Sequence, residues 1–148
     1  MQDPTGQVLA LDLGEVRIGL ALSDPLGIVA HPLETLHSEG ARRDLVRIEQ
    51  LIRDHEVVRV VVGLPLHLSG EEGAGAAAAR RFAARLRGRV PGVELVLWDE
   101  RLTTVQAERT LRAANVRRGK RREVIDGLAA VLILQNYLDS RAAPQAER

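Results

Sequence analysis

Six consecutive positions, Val57-Val58-Arg59-Val60-Val61-Val62, are β-branched with one exception. Such side chains are stiff at χ1, crowd a helix and pack well on a pleated surface. The run shows no alternation of polar and apolar positions, so the strand it forms must be buried on both faces, as in a parallel sheet. It ends in Gly63-Leu64-Pro65-Leu66 and a glycine-rich loop through Gly70, Gly73 and Gly75.

Helical patterns lie on either side. Ala41 to His55 puts Leu45, Ile48 and Ile52 on one helical face, with Ser38 as the expected N-cap. After the glycine loop, about Ala76 to Arg87 reads as a second helix, rich in alanine and arginine. Earlier, Val8 to Leu13 and Arg17 to Ser23 read as two short strands joined at Gly14, and Asp24-Pro25-Leu26-Gly27 marks a second turn. Ile28-Val29-Ala30 can open a third strand, making an antiparallel meander. Later, Val93 to Trp98 is an apolar strand closing on Asp99-Glu100-Arg101. Thr103 or Thr104 can cap a helix running to about Ala114, and a last helix spans about Glu123 to Leu138. The order β-β-β-α-β-α-β-α-α describes an α/β protein, a mixed sheet with helices on its faces. A hairpin-like start followed by βα units is the ribonuclease H-like arrangement, although other α/β folds share the βα part.

The length of 148 residues suits one domain. It is expected over 8–139, with flexible termini at 1–7 and from Ser140 onward. The three aromatics, Phe82, Trp98 and Tyr137, leave the core to Val, Leu, Ile and Ala, and argue against a platform of rings for stacking bases. Absence of cysteine excludes disulfides, thiolate zinc sites and cysteine nucleophiles. The first seven residues carry no basic segment leading into an apolar one. No stretch approaches the roughly 20 apolar residues of a membrane helix. A cytoplasmic protein that does not engage membranes is therefore expected.

A net charge of +1 conceals an asymmetric distribution. Seven cations and no acid lie between Arg109 and Arg122, and five more cations, again without an acid, between Arg80 and Arg89. Solvated helix faces would explain either run. A polyanionic partner explains both.

Three carboxylates stand out by position. Asp12 ends the first strand before a glycine turn, Glu100 follows the end of another strand, and Asp126 lies in the first turn of the last helix. Each has an ordinary explanation: an Asx turn for Asp12, a surface ion pair with Arg101 for Glu100, a helix-dipole partner for Asp126. Jointly they suggest more, because functional groups in α/β sheets collect beyond the carboxyl ends of strands. Three carboxylates in one place repel each other unless cations sit between them. Mg²⁺ or Mn²⁺ fits such oxygen ligands, and two ions about 4 Å apart can activate water and stabilise a leaving oxygen in phosphodiester cleavage. Competing chemistry is poorly supported. The four histidines show no paired metal spacing, Ser69 and His67 lack a nucleophile elbow, and Gly73-Ala74-Gly75 is not a dinucleotide fingerprint.

Asp12-Leu13-Gly14-Glu15-Val16-Arg17-Ile18-Gly19 resembles the opening D-x-G-x-x-R-I-G of the YqgF/RuvX family of bacterial Holliday junction resolvases or pre-16S ribosomal RNA nucleases. Ser23 to Gly27, Gly63 to Leu66, Asp99 to Thr104 and Val124 to Leu134 continue the resemblance in order and spacing, from about Leu9 to Leu138. It implies a ribonuclease H-like fold, a metal-dependent endonuclease with its acidic site at Asp12, Glu100 and Asp126, and a role in 5′-end maturation of small-subunit ribosomal RNA. Junction resolution is the alternative. Two departures bear on substrate contacts: His67-Leu68-Ser69 stands where an Asn and an Asp or similar polar pair are expected, and Glu15 where a basic residue is common.

The expected partner is therefore nucleic acid, either precursor ribosomal RNA, free or presented on a pre-ribosomal particle, or branched DNA. Asp12 would bridge two Mg²⁺ or Mn²⁺ ions, with Glu100 and Asp126 on either side. Arg17, Arg101 and Lys120 are candidates for phosphate contacts, and Arg117, Arg118, Arg121 and Arg122 for tracking the backbone. Paired cuts at a junction call for a symmetric dimer, whereas RNA processing does not, so monomer and homodimer both stay open. A non-catalytic binding factor would use the same basic surface. An actin-like phosphotransferase would use Asp12-Leu13-Gly14 but needs a far longer chain.

Overall fold

The computed structural model describes residues 6–103 and 121–146, with the backbone alone at 102–103, 121–126 and 142–146. Strands β1 (Gln7–Leu13), β2 (Arg17–Ser23) and β3 (Ala30–Pro32) form the expected antiparallel meander, and a two-residue β4 (Leu36–His37) adds to β2. Helix α1 (Ala41–Asp54) leads to β5 (Val57–Leu64), and α2 (Ala74–Arg89) leads to β6 (Glu94–Asp99). A short 3₁₀ turn (Glu100–Thr103) follows, and α3 (Arg121–Ala146) closes the described chain. The helix expected from Thr103 or Thr104 to about Ala114 lies outside the described residues.

The sheet runs β3-β2-β1-β5-β6, with β5 parallel to both β1 and β6. The valine run is thus the inner parallel strand that its composition demanded, and alternation along each strand sorts the side chains between two faces. Leu9, Leu11, Val60, Val62 and Leu64 join α1 and α2 in one core, whereas Val8, Ala10 and Val61 join Ala130, Ile133, Leu134 and Tyr137 of α3 in the other. Fully burying each of the Val, Leu and Ile side chains among these contributes about 1.5–3 kcal/mol. Arg59 interrupts the run on the α3 side, and there it is buried but paired, its Nε donating to Glu94 Oε1 at 2.5 Å.

Three expectations need correction. Ser38 does not cap α1: Gly40 holds that position, and the Ser38 hydroxyl instead donates to Asp44 Oδ2 at 2.6 Å. Ile28 and Val29 do not open β3, because Asp24 Oδ1 accepts both of their amides and holds them in the turn. Helix α3 continues past Ser140, where a tail was expected, to Ala146. There the Ser140 hydroxyl donates to the Tyr137 carbonyl at 2.7 Å and Arg141 stacks on the Tyr137 ring. Among the described residues, no helix is long and apolar enough to cross a membrane.

Candidate functional site

Strands β1, β5 and β6 run parallel, so their carboxyl ends share one edge of the sheet. Asp12 is the penultimate residue of β1, and its even position places it with Val8 and Ala10 on the α3 side. On β6 that side carries Val96 and Trp98, and Glu100 follows in the same phase as the strand tightens into the 3₁₀ turn. Neighbouring strands lie about 4.8 Å apart, so β1 and β6 are separated by about 10 Å across β5. Gly63 closes this gap. The register pairs Leu11 with Val62 and Gly63 with Trp98, which sets Gly63 beside Asp12 on one flank and just behind Glu100 on the other. A Cβ on Gly63 would stand 2.8 Å from Glu100 Oε2 and 2.8 Å from Ile133 Cδ1. The Glu100 carboxylate therefore lies over bare backbone, reaching across β5 toward Asp12.

Electrostatics record this approach. Burial, then the negative charges of Asp12 and Asp99, push the Glu100 carboxyl up to about 7. Asp99 itself is held below the usual carboxylate range by Arg101, whose guanidinium donates to Asp99 Oδ2 at 2.7 Å. The ion pair weighed for Glu100 and Arg101 is thus made by Asp99. Arg101 also reaches the Leu68 carbonyl at 3.4 Å, tying the loop after β5 to this edge. His67, Leu68 and Ser69, the residues that depart from the family pattern, lie exposed in that loop.

Arg17 opens β2 on the far side of the β1–β2 turn, half-buried, and strand alternation places it with Gly19 and Ala21 on the face that carries Asp12. The turn is tight: the Gly14 amide donates to the Arg17 carbonyl at 2.8 Å, and a Cβ on Gly14 would meet that oxygen at 2.7 Å. Glu15 is exposed within it. Asp126 belongs to the first turns of α3, where the backbone alone is described, and its position is in line with Ala130, Ile133 and Tyr137 at helical spacing. Arg121 and Arg122 begin the same helix, their side chains outside the described residues, and Arg117, Arg118 and Lys120 lie outside them altogether. Among the described residues, no three His, Asp or Glu side chains gather as a metal site.

Two features escaped the sequence. Gly63 was visible only as part of a turn, because its role depends on β5 lying between β1 and β6. Asp99 was passed over for its neighbour, although strand alternation could have assigned the two carboxylates to opposite sides.

The family model described as RuvX, Holliday junction resolvase, matches residues 6–140. A protein of Nocardia farcinica named "Putative pre-16S rRNA nuclease" is 50% identical over 144 residues, spanning 93% of this chain and 80% of that relative. One of the same name from Symbiobacterium thermophilum is 47% identical over 137 residues, spanning 93% and 94%. Among solved structures, T. thermophilus RuvC in complex with a Holliday junction substrate superposes with a TM-score of 0.61 at 15% identity, over 93% of this chain and 96% of that one. At that identity the likeness speaks for the fold, which is the ribonuclease H-like arrangement of the RuvC resolvases.

Proposed function

Because the chain belongs to the RuvX family, we propose that it is an endonuclease that hydrolyses phosphodiester bonds with Mg²⁺ or Mn²⁺ held by Asp12, Glu100 and Asp126. The observation that carries this reading is the Glu100 carboxylate, drawn over Gly63 toward Asp12 and pushed up to about 7 by burial and by that neighbour. Two carboxylates that raise each other's cost of ionisation are relieved by a divalent cation between them, so this pair fits the metal that the family implies. Asp126 completes the ligand set in this account, supported by its place near the start of a helix that packs on the same face.

When bound, such ions would lower the pKa of water and stabilise the leaving oxygen. The chain supplies the rest. Asp12 and Glu100, fixed at the ends of β1 and β6 on either side of β5, set the spacing of the ligands. Glu100 must lose its proton to serve, so below about 7 a proton competes with the cation for this site. Arg17 and Arg101 flank the carboxylates and contact the phosphates on either side of the cut. Arg117, Arg118, Lys120, Arg121 and Arg122 are assigned to the backbone further along. Products carry a 5′-phosphate and a 3′-hydroxyl.

The cellular substrate we assign is precursor 16S ribosomal RNA, matured at its 5′ end in the cytoplasm, following the names of relatives at 47–50% identity. A four-way DNA junction is the second reading, supported by the description of the family itself. Metal-dependent cleavage of a precursor 16S fragment, beside a four-way junction, separates them. RNA cutting by the wild type that Asp12→Asn abolishes supports the first reading, and cutting of the junction alone supports the second. Binding that survives Asp12→Asn without metal-dependent cutting of either would leave a non-catalytic binding factor.

A further inference from the structure

The same edge of the sheet carries a cavity on its opposite face. It measures about 260 Å³ and lies between the β1–β2 turn, the start of α1 and the middle of α2. Leu13, Ile18 and Phe82 give it an apolar lining, and Arg81 and Arg85 stand at its rim. Asp44, also in the wall, is already occupied by the Ser38 hydroxyl and the Glu39 amide. Roughly 300 Å³ is where pockets for drug-sized ligands begin, so this one suits a smaller group, the size of a single base.

The arginines argue for an anion. On the same helix Arg80 is held by Glu72 and Arg89 by Glu49, whereas Arg81 and Arg85 have no partner among the described residues. Like charges four residues apart on a helix repel each other. Asp44 is the one acid among the residues lining the cavity, so the two arginines leave it with an excess of positive charge. Leu13 and Gly14, which form its near wall, follow Asp12 directly in the chain, so a strand leaving the carboxylates need only pass over the β1–β2 turn to reach it.

We propose that this cavity receives one unstacked nucleotide of the single-stranded RNA flanking the cut, its base against Leu13, Ile18 and Phe82 and its phosphates on Arg81 and Arg85. Proteins that read single-stranded RNA splay bases out onto an aromatic ring or a guanidinium plane in this manner, and one ring suffices for one base. The inference deepens the nuclease reading and rests on it.

Because the chain has no cysteine, a single thiol can report on the cavity. Ala78→Cys places it on the wall, and Ala84→Cys on an exposed part of α2 outside the lining provides the control. The measurement is maleimide labelling of each variant with and without a single-stranded RNA 12-mer, while fluorescence anisotropy follows binding of the 12-mer. The RNA should slow labelling at position 78 and not at 84. Arg81→Ala/Arg85→Ala should remove that protection and lower the log–log salt slope of binding by about 1.4, since each phosphate contact to a single strand contributes about 0.7. Binding without protection at position 78 would overturn the proposal, as would protection that persists in the double variant or no binding at all. Metal-dependent cleavage by the wild type, assayed in parallel, judges the nuclease reading separately.

Discussion

At the carboxyl edge of the sheet, the two faces of β1 hold opposite chemistry within two residues. Asp12 faces α3, where Glu100 reaches it over Gly63, while Leu13 faces α1 and α2 and lines a cavity rimmed by Arg81 and Arg85. The acidic face is crowded and raises the pKa of its own carboxyl, and the basic face carries two cations without a partner among the described residues. The pleat accounts for the separation. Successive side chains leave a strand in opposite directions, so one strand end can present a cation-binding acid on one side and an anion-binding wall on the other without their neutralising each other. A metal-dependent nuclease would use both, because its cofactor is cationic and its substrate anionic.

The contrast can be broken most severely at Gly63. Gly63→Ala puts a methyl group 2.8 Å from the Glu100 carboxylate and from Ile133 Cδ1, so one or both must move. A displacement near 1 Å at a reacting centre costs on the order of 100-fold in rate. The turnover of Gly63→Ala should fall by about that much, with RNA affinity little changed, as measured by cleavage kinetics beside anisotropy. Equal turnover would mean that the closeness of Glu100 to Asp12 is incidental.

A smaller effect sharpens the electrostatics. An acid whose folded-state pKa is raised stabilises the protein while protonated, below its ordinary 4.5, and that contribution is lost as pH rises through about 7. Glu100→Gln should therefore be more stable than the wild type by about 2 kcal/mol above that range in chelator, once screening by solvent at the partly exposed Glu100 is allowed for, and equal to it below 4.5. Thermal melts across pH test this. Saturating Mn²⁺ should reverse the order, since only the wild type gains from the full ligand set.

The smallest effect lies at Arg101. Its ion pair with Asp99 is exposed at this edge, and such pairs contribute about 0–1 kcal/mol. Arg101→Ala should leave the melting temperature nearly unchanged while lowering the salt slope of RNA binding by about 0.7, one phosphate contact. A large loss of stability with an unchanged slope would make Arg101 a structural tie to the loop at Leu68 rather than a substrate contact.

Local pattern carried much of this architecture. The valine run announced β5, and the spacing of Leu45, Ile48 and Ile52 announced the buried face of α1. Asp12 and Glu100 were legible because the end of an apolar strand is a readable position. What escaped was set by distant partners or by length. Two residues, Leu36 and His37, are too few for any periodicity, yet β2 pairs them. Arg59 reads as an error in an apolar strand until Glu94, 35 residues away, is placed beside it. Ser38 looks like a cap, but Asp44 takes its hydroxyl. The pairing of Arg80 and Arg89 within the basic run depends on Glu72 and Glu49, which no helical spacing within α2 reveals.

Direct titration of Mn²⁺ into the protein by calorimetry tests the central claim, that Asp12 and Glu100 form a cation site. The wild type should bind well above pH 7 and more weakly below it, releasing a proton as Glu100 ionises, and Asp12→Asn should lose most of the affinity. Equal Mn²⁺ affinity in wild type and Asp12→Asn, independent of pH through 7, would contradict it.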